Sequence, residues 1–158
     1  MAYIYPAPGV SGVQATLTIT TNSGSDTVGL VVPALQDVTV NNANDVFTWT
    51  QLDSGSKQQI ATTATNSLGM NLVLEQNTFF GDATASGEDA QTAGIFGLSK
   101  DKTKIDFELY LGDTDGGATG KTISGSGYVT GLAPTVSADA PVWVSPITIT
   151  VDGDYTVS

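Results

Sequence analysis

Asp106 and Glu108 are the residues whose types and spacing come nearest to catalytic chemistry. They lie two positions apart in an alternating segment, so both carboxylates face the same side of a strand, roughly 7 Å apart. Glycoside hydrolysis uses a carboxylate pair, but it places the two groups on opposite sides of a sugar. Only Tyr110 and Tyr128 could act as aromatic platforms on this face. A solvated polar surface therefore explains the pair better than catalysis does.

Nucleophilic and phosphate-binding motifs are absent from the sequence. It has no histidine to serve a catalytic triad, and no local signature supports a serine–lysine pair with Lys57, Lys104 or Lys121. The segment GGATGKT, residues 116–122, leaves three residues between its glycines where a phosphate-binding loop needs four. A strand pattern follows it instead of a helix. We predict a hairpin loop there, and a protein that is not an enzyme.

Metal and cofactor motifs are equally weak. Histidine and cysteine are both missing, which excludes the common zinc sites. Asp113 and Asp115 have the spacing of a calcium loop, but Ser124 occupies the twelfth position, where a glutamate should complete the ligand set. We therefore predict no cofactor and no dedicated metal site, and leave open weak Ca²⁺ binding at Asp113 and Asp115.

The composition indicates a β-rich domain with a strongly acidic surface. Its 158 residues fit one domain, 40% of them are hydrophobic, and only 13% are charged, which argues against disorder. Sixteen acids against five lysines give a formal net charge of −11. Without arginine and with this charge, specific binding to nucleic acid is not expected. No signal peptide and no membrane-spanning run is visible, so we expect a chain made in the cytoplasm with no membrane partner.

Residues 104–131 predict the strands that position the two carboxylates. KIDFELYLG alternates so that its apolar side chains share one face, and KTISGSGYVTG alternates in the same way after a glycine-rich turn. The two segments predict a long antiparallel hairpin with one apolar and one polar face. The polar face would carry eight residues, namely Lys104, Asp106, Glu108, Tyr110, Thr122, Ser124, Ser126 and Tyr128.

The rest of the chain predicts one antiparallel β-sandwich or barrel over residues 13–158, preceded by an extended arm over residues 1–12. About eight short strands are separated by turn signals, among them NNAND at residues 41–45. Residues 52–68 have few large apolar groups and predict a long loop, of which residues 58–65 alternatively form a polar strand. Residues 86–99 predict the one flanking helix, because Ser86 and Asp89 resemble a capping box ahead of an apolar stripe.

The order of elements in the second half resembles that of the tail tube proteins of long-tailed bacteriophages. In that family a helix precedes a strand like KIDFELYLG, and a glycine-containing turn leads to a small-residue strand like SGSGYVTGL. A polar stretch like APTVSADAP then leads to a closing strand followed by a glycine, here Gly153. The resemblance covers residues 88–156, with weaker agreement in DVTVNNANDVFTWTQ.

This resemblance implies a virion structural protein with a tail-tube-like fold. Six copies would form a ring whose inner strands join into one barrel, and stacked rings would form a tube. The polar face would line an acidic channel through which DNA passes without specific binding during ejection. Contacts between subunits or rings would involve the arm and the 52–68 segment, at Tyr3, Ile4, Tyr5, Leu52, Asp53, Ser54 and Lys57.

The partners implied are further copies of the chain and other tail proteins, in a virion assembled in the host cytoplasm. Two other classes remain open from the sequence. One is a capsid decoration protein, which is usually a trimeric β-domain. The other is a bacterial surface module of immunoglobulin type, although the sequence shows no export signal.

Overall fold

The computed structural model describes residues 15–21, 29–32, 35–53, 55–85, 89–112, 120–139 and 142–158. Within these ranges the chain forms eight strands and two helices. In order they are β1 (Ala15–Thr21), β2 (Leu30–Val32), β3 (Leu35–Thr50), β4 (Lys57–Val73), α1 (Gln76–Phe80), α2 (Asp89–Lys100), β5 (Ile105–Leu111), β6 (Lys121–Leu132), β7 (Val144–Val151) and β8 (Thr156–Val157).

All eight strands belong to one antiparallel sheet in the order β2-β1-β5-β6-β7-β4-β3, with β8 paired to β6. Strands β2 and β3 lie at opposite ends of this order but follow each other in the chain. Val32 and Leu35 are three residues apart, so at most about 11 Å separates them. The sheet must therefore roll until its two ends approach each other. No pairing between β2 and β3 closes it within the described residues.

The inner face of the rolled sheet forms the core, and the strand alternation puts it there. On β5, Ile105, Phe107 and Leu109 are buried while the residues between them face outward. The same pattern buries residues of β1, β4 and β7, and the helices add Phe79, Ile95 and Leu98. Complete burial of a large aliphatic or aromatic side chain contributes about 1.5–3 kcal/mol. The core therefore holds the strands that carry the polar face.

Helix α2 confirms residues 89–99 of the helix predicted over residues 86–99, of which residues 86–88 lie outside the described part of the chain, whereas α1 was not predicted. Glu75 accepts hydrogen bonds from the backbone amides of Asn77 and Thr78 and so caps α1. Glutamate is not one of the usual capping residues, which is why no helix start was expected there. Gly94 interrupts α2 with φ 68°, and a Cβ atom on it would lie 2.3 Å from the Gly81 amide nitrogen. Glycine therefore permits the close contact between the two helices.

Strands β3 and β4 correct two predictions. The segment 52–68 is not a long loop, because β4 begins at Lys57 and continues to Val73; the alternative of a polar strand over residues 58–65 was right. The predicted turn at residues 41–45 lies inside β3, where the pairing shifts between Asn44 and Val46. The ladder with β4 supplies backbone partners that outweigh the local turn preference of asparagine.

Neither helix in the described part of the chain is long and apolar enough to cross a membrane.

Candidate functional site: a polar sheet face and a projecting hairpin

The outer face of β1, β5 and β6 brings the predicted polar residues together. Each outward residue of β5 lies between one residue of β1 and one of β6. The three cross-strand rows are Thr20–Asp106–Ser126, Thr18–Glu108–Ser124 and Thr16–Tyr110–Thr122. We call this surface, with Lys104 and Tyr128, the polar sheet face. All eight residues predicted for it therefore lie on one side of adjacent strands, or directly before one in the case of Lys104.

Side-chain hydrogen bonds and one ion pair connect residues of this face to neighbouring strands and turns. Ser126 Oγ donates to Asp106 Oδ1 across the β5–β6 pair. Ser124 Oγ and Thr156 Oγ1 lie 2.9 Å apart, so the hydroxyl row continues onto β8. Lys104 Nζ lies 2.9 Å from Asp152 Oδ2, and this hydrogen bond, with the attraction between the charges, raises the pKa of Lys104. The surface thus presents hydroxyls and carboxylates that are linked across neighbouring strands.

The positions of the two tyrosines on the face differ. Tyr110 packs over the backbone at the end of its own hairpin, since a Cβ atom on Gly120 would lie 2.3 Å from its hydroxyl oxygen. Tyr128 is exposed and pairs with Thr150 of β7. Among the described residues no three Asp, Glu, His or Cys side chains cluster.

The second feature is a projecting hairpin, formed by residues 41–50 of β3 and 57–65 of β4, which we call the hairpin arm. Every side chain of the arm is exposed except that of Trp49, which is half-buried. Phe47 lies opposite Ile60 and stacks on Trp49 with ring centroids 6.0 Å apart, although Phe47 remains 59% exposed. Strand β3 pairs only with β4 in the described chain, so its outer edge is open.

The predicted contact residues fall partly on this arm. Leu52 and Asp53 lie exposed at its tip, and Lys57 begins β4 opposite Thr50. Tyr3, Ile4, Tyr5 and Ser54 lie outside the described residues, as do Ser86, Asp113 and Asp115. The exposed apolar residues Val46, Phe47 and Ile60 were not among the predicted contacts. In the sequence Phe47 and Trp49 share one face, as on any half-buried strand, so the pattern did not indicate that both faces would be uncovered.

A third feature, which the sequence did not indicate, is an aromatic patch beside the helices. Phe79 is buried and contacts Phe80 and Phe96 with ring centroids 4.9 and 6.1 Å away, and both partners are partly exposed. Trp143 and Val142, just before β7, are exposed beside Phe80, and together they line one cleft. Clustered exposed aromatics on a folded domain are typical of contact surfaces.

No family model matches the chain, and no curated protein matches it. Solved structures do match. They include the SPP1 tail tube (TM-score 0.66, 10% identity, 97% of this chain and 79% of that chain covered). A second is a chain of the anti-feeding prophage baseplate (TM-score 0.64, 11% identity, 98% and 97% covered). A third is a chain of the tail of an empty gene transfer agent particle with C6 symmetry (TM-score 0.61, 13% identity, 90% and 95% covered).

At identities of 10–13% this likeness concerns the fold. The chain has a tail-tube-like fold, mainly antiparallel β with short helices, as the sequence predicted. The similar proteins are structural parts of tails and a baseplate, not enzymes.

Proposed function

We propose that this protein is a structural subunit of a tail tube, which assembles with copies of itself into stacked hexameric rings. The observation that carries the proposal is the hairpin arm, with both faces exposed and its β3 edge open in the described chain, on a tail-tube-like fold. A two-stranded ribbon is marginally stable by itself in water. An arm of this length therefore suits burial against a neighbouring copy.

Ring formation would also protect the open sheet. The outer edge of β3 presents backbone groups that β4 does not pair, and such edges readily pair with another chain. Pairing between copies around an axis would continue one sheet into the next and remove the exposed edges. The tail of the gene transfer agent particle has C6 symmetry, and six copies per ring is the number we propose here.

The polar sheet face is proposed to line the channel of this tube. Its hydroxyls and carboxylates hold water, and a chain of net charge −11 repels DNA phosphates. DNA would then pass during ejection without binding specifically. The subunit would act in the tail of a virion, beside other tail proteins, after assembly in the host cytoplasm. No observation favours a capsid decoration protein or an immunoglobulin-like surface module.

Electron microscopy of the purified protein in negative stain tests the assembly. We expect rings or hollow tubes with a central pore a few nanometres wide as the protein concentration is raised. Monomers at every concentration, including with a crowding agent present, would contradict the proposal.

A charge-reversal variant tests the assignment of the channel. Replacing Asp106 and Glu108 with lysine should leave the fold intact, because both side chains point outward from β5. Tubes of this variant should retain added DNA after gel filtration, whereas wild-type tubes should not. The matched control reverses Asp101 and Asp139, two exposed acids that lie outside the strands of the polar sheet face. Equal DNA retention in both variants would remove the channel assignment without removing the tube.

A further inference from the structure

An open cleft of about 560 Å³ lies at the base of the hairpin arm. One wall is the inward face of the hairpin, where the cross-strand pair Val40–Leu68 of the core gives way to Asn42–Asn66 and Asn44–Ala64. The other wall is the turn between β7 and β8, formed by Gly153, Asp154 and Tyr155. The seven residues that line the cleft are Asn42, Asn44, Ala64, Asn66, Gly153, Asp154 and Tyr155.

Asn66 is the unusual member of this group. Its side chain is 4% exposed, yet its Oδ1 atom has no hydrogen-bond partner among the described residues. A buried carbonyl oxygen without a donor has lost its hydrogen bonds to water and gained none in return. Native proteins rarely leave such a group unsatisfied without a reason, such as a bound ion. Among the described residues no donor satisfies this oxygen, and Asn66 itself lines the cleft.

The other cleft residues favour a cation. Asp154 contributes a carboxylate, and Asn42 and Asn44 contribute amide oxygens beside Asn66. None of the seven lining residues is basic, so no cationic side chain among them balances Asp154. Asp154 Oδ1 accepts a hydrogen bond from the adjacent Tyr155 amide, at 2.9 Å. An anion would meet a carboxylate and carbonyl oxygens, and would be repelled.

We infer that this cleft binds a divalent cation of the Ca²⁺ type, with Asp154 and Asn66 as its principal ligands. Ca²⁺ accepts six to eight oxygens in an irregular arrangement, including asparagine oxygens and water. Mg²⁺ demands a tight octahedron and keeps its water, so an open cleft of neutral amides suits it less. One carboxylate among amides corresponds to a dissociation constant on the order of 10⁻⁴–10⁻³ M.

Cation binding would connect two parts of the chain that are distant in sequence. Asn66 belongs to β4 at the base of the hairpin arm, and Asp154 belongs to the turn that follows β7. A common ion would fix the direction in which the arm leaves the sheet. The site does not depend on the proposed function, because it is built within a single copy.

Terbium luminescence provides the test, since Tb³⁺ replaces Ca²⁺ and is sensitised by a nearby tyrosine such as Tyr155. With the purified protein we expect saturable emission that Ca²⁺ displaces and Mg²⁺ displaces at least about tenfold less effectively. Asn66→Ala and Asp154→Asn should each weaken Ca²⁺ competition about tenfold or more. Asn66→Asp adds a carboxylate and should strengthen it about tenfold, which also shows that the site survives substitution.

Two controls separate this site from loose ion binding to an acidic protein. Asp37→Asn removes an exposed carboxylate from the same pair of strands. This carboxylate lies outside the cleft and accepts hydrogen bonds from the Asn71 side chain, so its loss should leave the competition between Ca²⁺ and Tb³⁺ unchanged. Tyr155→Phe removes the sensitising phenol and should lower the Tb³⁺ emission, which reports whether the bound ion lies beside Tyr155. The inference would be overturned if Ca²⁺ displaced Tb³⁺ equally well from wild type, Asp154→Asn and Asn66→Asp. It would also be overturned if Mg²⁺ displaced Tb³⁺ as effectively as Ca²⁺ does.

Discussion

The body of the rolled sheet and the hairpin arm are both built from paired antiparallel strands but have opposite surroundings. On β5 the alternation hides Leu109 completely and leaves Glu108 in solvent. On the arm Phe47 and Ile60 share one face and Val46 lies on the other, and all three are exposed. Alternation therefore decides which side chains share a face, whereas the packing opposite that face decides whether they are buried.

This difference separates folding from assembly. The body has a buried cluster that extends from β1 to the helices, so it can supply the free energy of folding within one copy. The arm buries almost nothing in one copy and would gain stability from contact with another. Substitutions in the body should therefore change unfolding, and substitutions in the arm should change association.

The largest expected effect compares two aliphatic truncations. Leu109→Ala removes a fully buried side chain from β5 and should lower the free energy of unfolding by about 2–5 kcal/mol. Ile60→Ala truncates an exposed residue of the arm and should change it by less than about 0.5 kcal/mol. Urea denaturation of dilute, unassembled protein measures both. A loss above about 1 kcal/mol in Ile60→Ala would mean that the arm packs within its own copy.

Two glycine substitutions test the same difference between the body and the arm. In the body, a Cβ atom on Gly127 would lie 2.2 Å from the Thr150 carbonyl oxygen, so Gly127→Ala should cost about 1–3 kcal/mol of stability. At the arm tip, a Cβ atom on Gly55 would meet no other atom within 4 Å, and Gly55→Ala should be neutral within about 0.5 kcal/mol. Thermal unfolding of Gly127→Ala, Gly55→Ala and the wild type measures the two changes in stability. Equal destabilisation would show that the tip is not open.

For assembly, substitutions in the arm should have larger effects than substitutions in the body. Val46→Thr combined with Ile60→Thr makes the arm polar and keeps β-branched side chains, so the strands should persist. We expect the concentration needed for assembly to rise about tenfold or more, equivalent to about 1.4 kcal/mol per subunit. Val136→Thr is the matched control, since Val136 is 59% exposed outside the arm and the sheet. Light scattering as a function of protein concentration gives the concentration needed for assembly of the wild type, the arm variant and the control.

If the control and the arm variant assemble alike, the arm is not the main contact. The aromatic patch of Phe80, Phe96 and Trp143 would then be the next surface to substitute.

The body could be predicted from the sequence better than the arm, and the reason is physical. The hairpin of β5 and β6 has one face against a core, so its apolar residues recur every second position and the antiparallel hairpin with one polar face could be predicted. Residues 57–65 are exposed on both faces, so polar residues are tolerated everywhere and no alternation remains to be read. The asparagines at positions 41–44 favour a turn locally, but cross-strand pairing outweighs that preference.

The candidate site divides in the same way. The polar sheet face could be predicted because its residues alternate with buried ones. The cleft at the base of the arm could not, because Asn66 and Asp154 are far apart in the chain and meet only when β4 and β7 pair. Nor could helix α1, whose cap is a glutamate.

The smallest expected effect concerns pH and belongs to the body. Hydrogen bonds from the hydroxyl and amide of Thr78 lower the pKa of Glu75 below its usual value of 4.5, and those from Thr84 lower the pKa of Asp82 below 3.8. A carboxyl with a lowered folded pKa stabilises the fold above its unfolded pKa. That stability is lost as the pH falls through the folded value. The body should therefore weaken gradually below about pH 4.5.

Glu75→Gln tests this origin, because glutamine can still accept at the start of α1 but does not titrate. Urea denaturation at pH 7 and pH 3 should show a smaller loss of stability on acidification in Glu75→Gln than in wild type. The arm variant with Val46 and Ile60 replaced by threonine should keep the wild-type loss, since α1 packs on the body rather than on the arm. If Glu75→Gln lost as much stability on acidification as the wild type, the acid sensitivity would originate elsewhere in the sheet. If the arm variant lost less stability than the wild type, folding and assembly would not be separate.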